Sequence, residues 1–140
     1  MTWKMKMTEE IKLPMGYNGY KLTDNARKEL LAAVPAMFPD IVAHHVTHEF
    51  NIAASDPPYV GTVCVVAVAS NDMIQAVLVK VRGTVTRAHG DSFYHVTLSM
   101  DKNAGAKAND SNALIKDSGD WIAVVPFDID VIPTFFPFGK

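Results

Sequence analysis

Cysteine is nearly missing from this chain: Cys64 is the only one in 140 residues, so no internal disulfide can form. It lies in the apolar run Val63-Cys64-Val65-Val66, where a thiol reads as a small core residue. An apolar setting raises a thiol's pKa and argues against a reactive nucleophile. Also lacking is any apolar run near the roughly 18 residues that a membrane span requires, and no long apolar segment stands behind Met1-Thr2-Trp3-Lys4-Met5-Lys6-Met7, so no signal peptide is expected. The expected setting is cytoplasmic, without membrane contact. Neither sign of charge dominates: 13 Lys and Arg against 15 Asp and Glu leave a net −2. That excludes a whole-surface attraction to nucleic acid and confines any such contact to a local patch.

What is present is an ordinary globular composition, 49% hydrophobic and 20% charged, at a length that suits one domain over residues 1–140. Trp3 to Met7 alternate apolar and polar, as a short half-buried strand does. The glycines and asparagine of Pro14-Met15-Gly16-Tyr17-Asn18-Gly19 predict a loop. Thr23, followed by Asp24 and good helix formers through Ala33, predicts a capped helix with Ala26, Leu30, Leu31 and Val34 as its apolar stripe, ended by Pro35 and Pro39.

Four strands are expected next. Ile41 to Ile52 is one, with Val42, His44, Val46, His48 and Phe50 on the core face and His45 and Thr47 facing away. Val60 to Ala69 and Met73 to Val81 predict a hairpin after the loop Asp56-Pro57-Pro58. Phe93 to Met100 separates Tyr94, Val96, Leu98 and Met100 from Phe93, His95, Thr97 and Ser99. Asp101 to Asn109 suits a mobile surface loop. A short helix capped by Asp110 or Ser111 should then run to Lys116 and stop at Ser118-Gly119. Trp121 to Phe127 predicts a last strand, and the phenylalanine-rich tail, residues 132–138, should pack on the body or on a second copy.

His45-Val46-Thr47 and His95-Val96-Thr97 stand fifty residues apart. In a strand, residues i and i+2 share a face, so each motif presents an imidazole and a hydroxyl side by side. Two histidines flanking a phosphorus can divide phosphodiester cleavage. One, neutral, takes the proton of the attacking hydroxyl; the other, protonated, gives one to the leaving oxygen. Threonine hydroxyls can hold the non-bridging oxygens as their charge grows. This chemistry requires no metal and no cofactor.

The two motifs resemble the paired His-x-Thr motifs of the 2H phosphoesterase superfamily. That group includes the LigT-like RNA 2′,3′-cyclic phosphodiesterases, the cyclic phosphodiesterase modules of tRNA ligases, and phage enzymes that destroy cyclic-nucleotide immune signals. The resemblance implies an α+β fold of two lobes of antiparallel sheet with few helices. It implies His45 and His95 as the catalytic pair, Thr47 and Thr97 as phosphate ligands, and a 2′,3′-cyclic phosphate RNA end or small cyclic nucleotide as substrate.

Competing readings remain. His44, His45 and His48 would share a zinc-binding face if helical, but their β-branched neighbours favour strand and no acid stands within the run. Lys80, Arg82, Arg87, Lys102 and Lys107 flank the second motif as phosphate ligands or as a solvated edge. Phe93, Tyr94 and Trp121 are candidates to stack on a base, with core packing the stronger expectation for Trp121. The alternative from another class is a non-catalytic β-rich binding or assembly protein, a homo-oligomer joined through its aromatic tail.

Overall fold

The computed structural model describes residues 14–87, 92–108, 110–117 and 121–139. The expected strand at Trp3 to Met7, most of the turn that Arg87-Ala88-His89-Gly90-Asp91 predicts, and the helix stop at Ser118-Gly119 lie outside these. Among the described residues seven strands and two α-helices follow in the order β1 (Met15–Leu22), α1 (Asp24–Ala33), β2 (Asp40–Ile41), β3 (His45–Ala53), β4 (Thr62–Ser70), β5 (Ile74–Lys80), β6 (His95–Met100), α2 (Asp110–Asp117) and β7 (Ile122–Pro137). All strand pairings are antiparallel. The sheet runs β2-β6-β3-β1-β7-β4-β5, and a further β5–β6 pairing closes it on itself, so the α+β expectation holds at this level. Among the described residues no helix is long and apolar enough to cross a membrane.

Period-two alternation in β5 divides the interior. Val77 and Val79 join one apolar cluster with Tyr20, Leu30, Val46, Val96, Leu98 and Ile129. Ile74, Ala76 and Leu78 join a second, with Met100, Leu114 and Ile115. Strand β5 is thus buried on both faces, and α2 covers the second, a layering that pattern alone permits when helix and sheet stack. Helix α1 begins as expected. Thr23 Oγ1 accepts from the Ala26 amide at 3.1 Å, and Ala26 and Leu30 are fully buried.

Three expectations are corrected. Pro14 to Gly19 is no loop: from Met15 onward it is strand β1, paired on one side with β3 and on the other with β7. Its glycines serve close approach, since a Cβ on Gly16 would run into the Phe136 carbonyl oxygen and one on Gly19 into that of Val46. Second, Ile41 to Ile52 is not one strand. Ala43 takes a left-handed conformation (φ 42°) that breaks it before β3 and turns His44 outward, where it is exposed. A bulge follows, because Asn18 pairs with Glu49 but Gly19 with Thr47, leaving His48 as the extra residue. Alternation resets there, and Phe50, expected in the core, is 63% exposed.

The third correction concerns the end of the chain. The last strand does not stop near Phe127 but runs to Pro137, its first half on β4 and its second half on β1. The aromatic tail therefore packs on the body. Phe136 stacks on Tyr17 at 4.8 Å between ring centroids, and the Phe138 amide donates to the Met15 carbonyl.

Candidate functional site

The two motifs sit on neighbouring strands. Val46 lies opposite Val96, and both are fully buried. Antiparallel pairing gives such a residue pair a local two-fold axis, which relates the flanking residues of one strand to those of the other. His45 and Thr47 stand on one side of it and His95 and Thr97 on the other, all on the face opposite Val46 and Val96. Diagonal neighbours across an antiparallel pair are about 7–8 Å apart, somewhat less at Cβ. That spacing leaves room for a phosphoryl group between two imidazoles.

All four side chains line one cleft of about 400 Å³. Its other walls include Tyr17 from β1, Phe50 from β3, Arg87, and Ala108, Ser111 and Asn112 at the start of α2.

His95 is held at both ring nitrogens. Its Nδ1 lies 2.9 Å from the Phe93 carbonyl, which can only accept, so Nδ1 carries the hydrogen. Nε2 is then the working nitrogen, and it lies 3.0 Å from Ser111 Oγ. Ser111 is itself buried. Its hydroxyl lies 2.7 Å from Thr97 Oγ1 and 2.8 Å from the Ala108 carbonyl, so one serine ties both residues of the second motif to the first turn of α2. Burial lowers the pKa of His95 below the usual histidine range. Its hydrogen bond to Phe93 works against that, and the Arg87 guanidinium adds to it.

His45 lies among rings. Its centroid is 5.3 Å from Tyr17, 5.0 Å from Phe136 and 5.1 Å from His44. Burial, with smaller contributions from His44 and His95, lowers its pKa to about 4. At neutral pH it is an uncharged imidazole, the form that accepts a proton.

Several expected participants stand elsewhere. His48 is buried on the core side, with Nδ1 2.8 Å from the Tyr94 hydroxyl and its ring stacked on that of Tyr94. It points away from His44 and His45, so the three do not converge, and among the described residues no cluster of three metal-ligating side chains is present. Of the five basic residues near the second motif only Arg87 lines the cleft, where Nε donates to the His48 carbonyl and a terminal nitrogen to Ser92 Oγ. Phe93 packs edge-on against Trp121, whose indole N–H donates to Ile115. Cys64 is half-buried instead of in the core, and burial and Asp128 raise its thiol pKa, which argues against a reactive nucleophile.

The aromatic wall of the cleft is made instead by Tyr17 and Phe50, which stack at 6.0 Å. Sequence reading missed them because one was assigned to a loop and the other to the core. Ser111 was read only as a helix cap. A polar residue in the first turn of a helix packed against the second motif is the signal that could have found it.

Comparison with protein-family models, with curated proteins and with solved structures returned no match.

Proposed function

We propose that this chain is a metal-independent phosphodiesterase of the 2H kind, acting on a 2′,3′-cyclic phosphate RNA end or a small cyclic nucleotide. One observation carries the reading: both His-x-Thr pairs line a single cleft about a local two-fold axis. On this reading the closed antiparallel sheet is a two-lobed 2H fold that brings one motif from each half of the chain to its centre.

The protonation states support a division of roles. His45, held neutral, takes the proton of a water attacking phosphorus. The new P–O bond forms as the bond to the ribose oxygen breaks, and that oxygen receives a proton from Nε2 of His95. An entering phosphodiester anion favours the charged imidazole, which offsets the lowering that burial imposes on His95. Thr47 and Thr97 hold the non-bridging oxygens, and Arg87 places a positive charge on the same wall. Tyr17 and Phe50 offer faces to a base, which favours a nucleotide over a simple phosphodiester.

The test is hydrolysis of nucleoside 2′,3′-cyclic phosphates and cyclic dinucleotides by wild type, His45→Ala and His95→Ala. Each variant should stay folded and lose activity by about 10²- to 10⁴-fold, the usual contribution of a positioned acid or base. Wild-type turnover in either would end the mechanism. Activity should survive EDTA, and its loss and recovery with zinc would point to the histidine-run reading.

A further inference from the structure

His44 stands outside the paired motifs, yet its Nδ1 lies 2.9 Å from Nδ1 of His45. The contact is built into the backbone. Ala43, in its left-handed turn, donates to the Thr97 carbonyl, and the His44 carbonyl accepts from Leu22, which fixes His44 between β6 and β1. The two imidazoles meet at 83°, and Phe136 backs both, at 5.7 Å from His44 and 5.0 Å from His45.

Two ring nitrogens at that distance share a single hydrogen. Whichever Nδ1 accepts it belongs to a ring that, when neutral, must carry its own hydrogen on Nε2. In the neutral pair one Nε2 therefore bears a hydrogen and the other is bare, and the tautomer of His45 is tied to that of His44. Nδ1 of His45 being occupied, Nε2 is the nitrogen left for a substrate, and a base needs it bare.

We infer that His44 is a positioning residue for His45: a neutral His44 accepts the Nδ1 hydrogen of His45 and so keeps Nε2 of His45 free to take a proton. The inference rests on the phosphodiesterase reading for its kinetic consequence, not for its geometry. The Phe93 carbonyl does the same for His95 but has no second state. His44 does. Once protonated, His44 carries a hydrogen on Nδ1 and can no longer accept. The shared position then forces His45 to hold its hydrogen on Nε2, and the base is lost. Lys21 and Arg27 face His44 and oppose its protonation, after burial, while His95 and Tyr17 adjoin His45. The acid side of the cleft is thereby fixed by backbone and the base side is conditional on a second imidazole.

The tautomer of His45 can be read by ¹⁵N NMR of its ring near neutral pH, in wild type, His44→Phe and His44→Asn. Phenylalanine keeps a ring against Phe136 without an acceptor; the asparagine carbonyl can accept. Wild type and His44→Asn should show the hydrogen on Nδ1, and His44→Phe should move it to Nε2. With a nucleoside 2′,3′-cyclic phosphate, His44→Phe should lower kcat about tenfold, with KM changed by no more than about twofold, and His44→Asn should recover most of the loss. An unchanged tautomer and kcat in His44→Phe would overturn the inference. So would a wild-type His45 protonated on Nε2, a result that stands even if His44→Phe does not fold. If wild type hydrolyses nothing, the phosphodiesterase reading fails alone and the tautomers still decide the role of His44.

Discussion

The hydroxyl of Ser111 lies 3.0 Å from Nε2 of His95, at the point where that nitrogen would meet a substrate oxygen. Because the same hydroxyl is 2.7 Å from Thr97 Oγ1, the three polar atoms converge on one small region at the mouth of α2. A phosphoryl oxygen reaching Thr97 and His95 must join Ser111 or displace it.

Ser111→Ala tests which of these holds. Joining predicts a fall in kcat of about 10²-fold, since one hydrogen bond to the developing charge is lost. Displacement predicts a lower KM with kcat nearly unchanged. Initial rates across substrate concentration separate the two, with circular dichroism as the check on folding.

Phe50→Ala should act on binding. Phe50 is mostly exposed, so its removal should leave stability within about 0.5 kcal/mol. Base stacking on one aromatic ring contributes about 1–3 kcal/mol, so KM for a nucleotide should rise roughly 5- to 150-fold, while a base-free phosphodiester is unaffected. An equal effect on both substrates would show that the ring shapes the cleft instead of reading a base.

His45 makes stability depend on pH. Its folded pKa, about 4, lies below the 6.5 of an unfolded histidine, so between those values the unfolded chain binds more protons. Stability should fall as pH drops from 6.5 toward 4, by at most about 3 kcal/mol from this residue, and be unaffected by it above 6.5. Urea midpoints at pH 7 and pH 5 measure the loss, and His45→Gln should reduce it. A loss of the same size in that variant would assign the effect to other groups.

Gly19→Ala should be among the most damaging single substitutions, because its Cβ would meet backbone that has no free rotamer to yield. A loss of about 3 kcal/mol or more is expected, readable as a lowered denaturation midpoint. Gly83→Ala makes the control: open space surrounds that Cβ, and only its positive φ opposes the change.

The sequence made the second motif strand legible almost residue by residue. Its alternation holds from His95 to Leu98; a bulge then falls at Leu98, since Thr97 pairs with Ala76 but Ser99 with Gln75, and Met100, expected beside Val96 and Leu98, packs in the second cluster instead. The first motif strand was half legible. His45, Val46 and Thr47 took their expected faces, whereas Ala43 and the bulge at His48 moved His44 and Phe50 to the opposite ones. Such irregularities are set by the partner strand, whose register no local pattern encodes. Strand β1 was misread for a related reason: glycine tolerates a turn and permits close backbone approach, and only the neighbours on both sides decide between them. The contact of His44 with His45 depends on one of those irregular places, the turn at Ala43.

Strand β7 supplies the last consequence. Its terminal half pairs with β1, with Pro137 set against Gly16 at the opposite end of the chain. A polypeptide emerging from the ribosome therefore cannot complete this ring until Pro137 has emerged. Contacts so distant in sequence slow folding. Until then β1, with the aromatic wall beside His45, keeps an unpaired edge, the region where premature association with another nascent chain would begin.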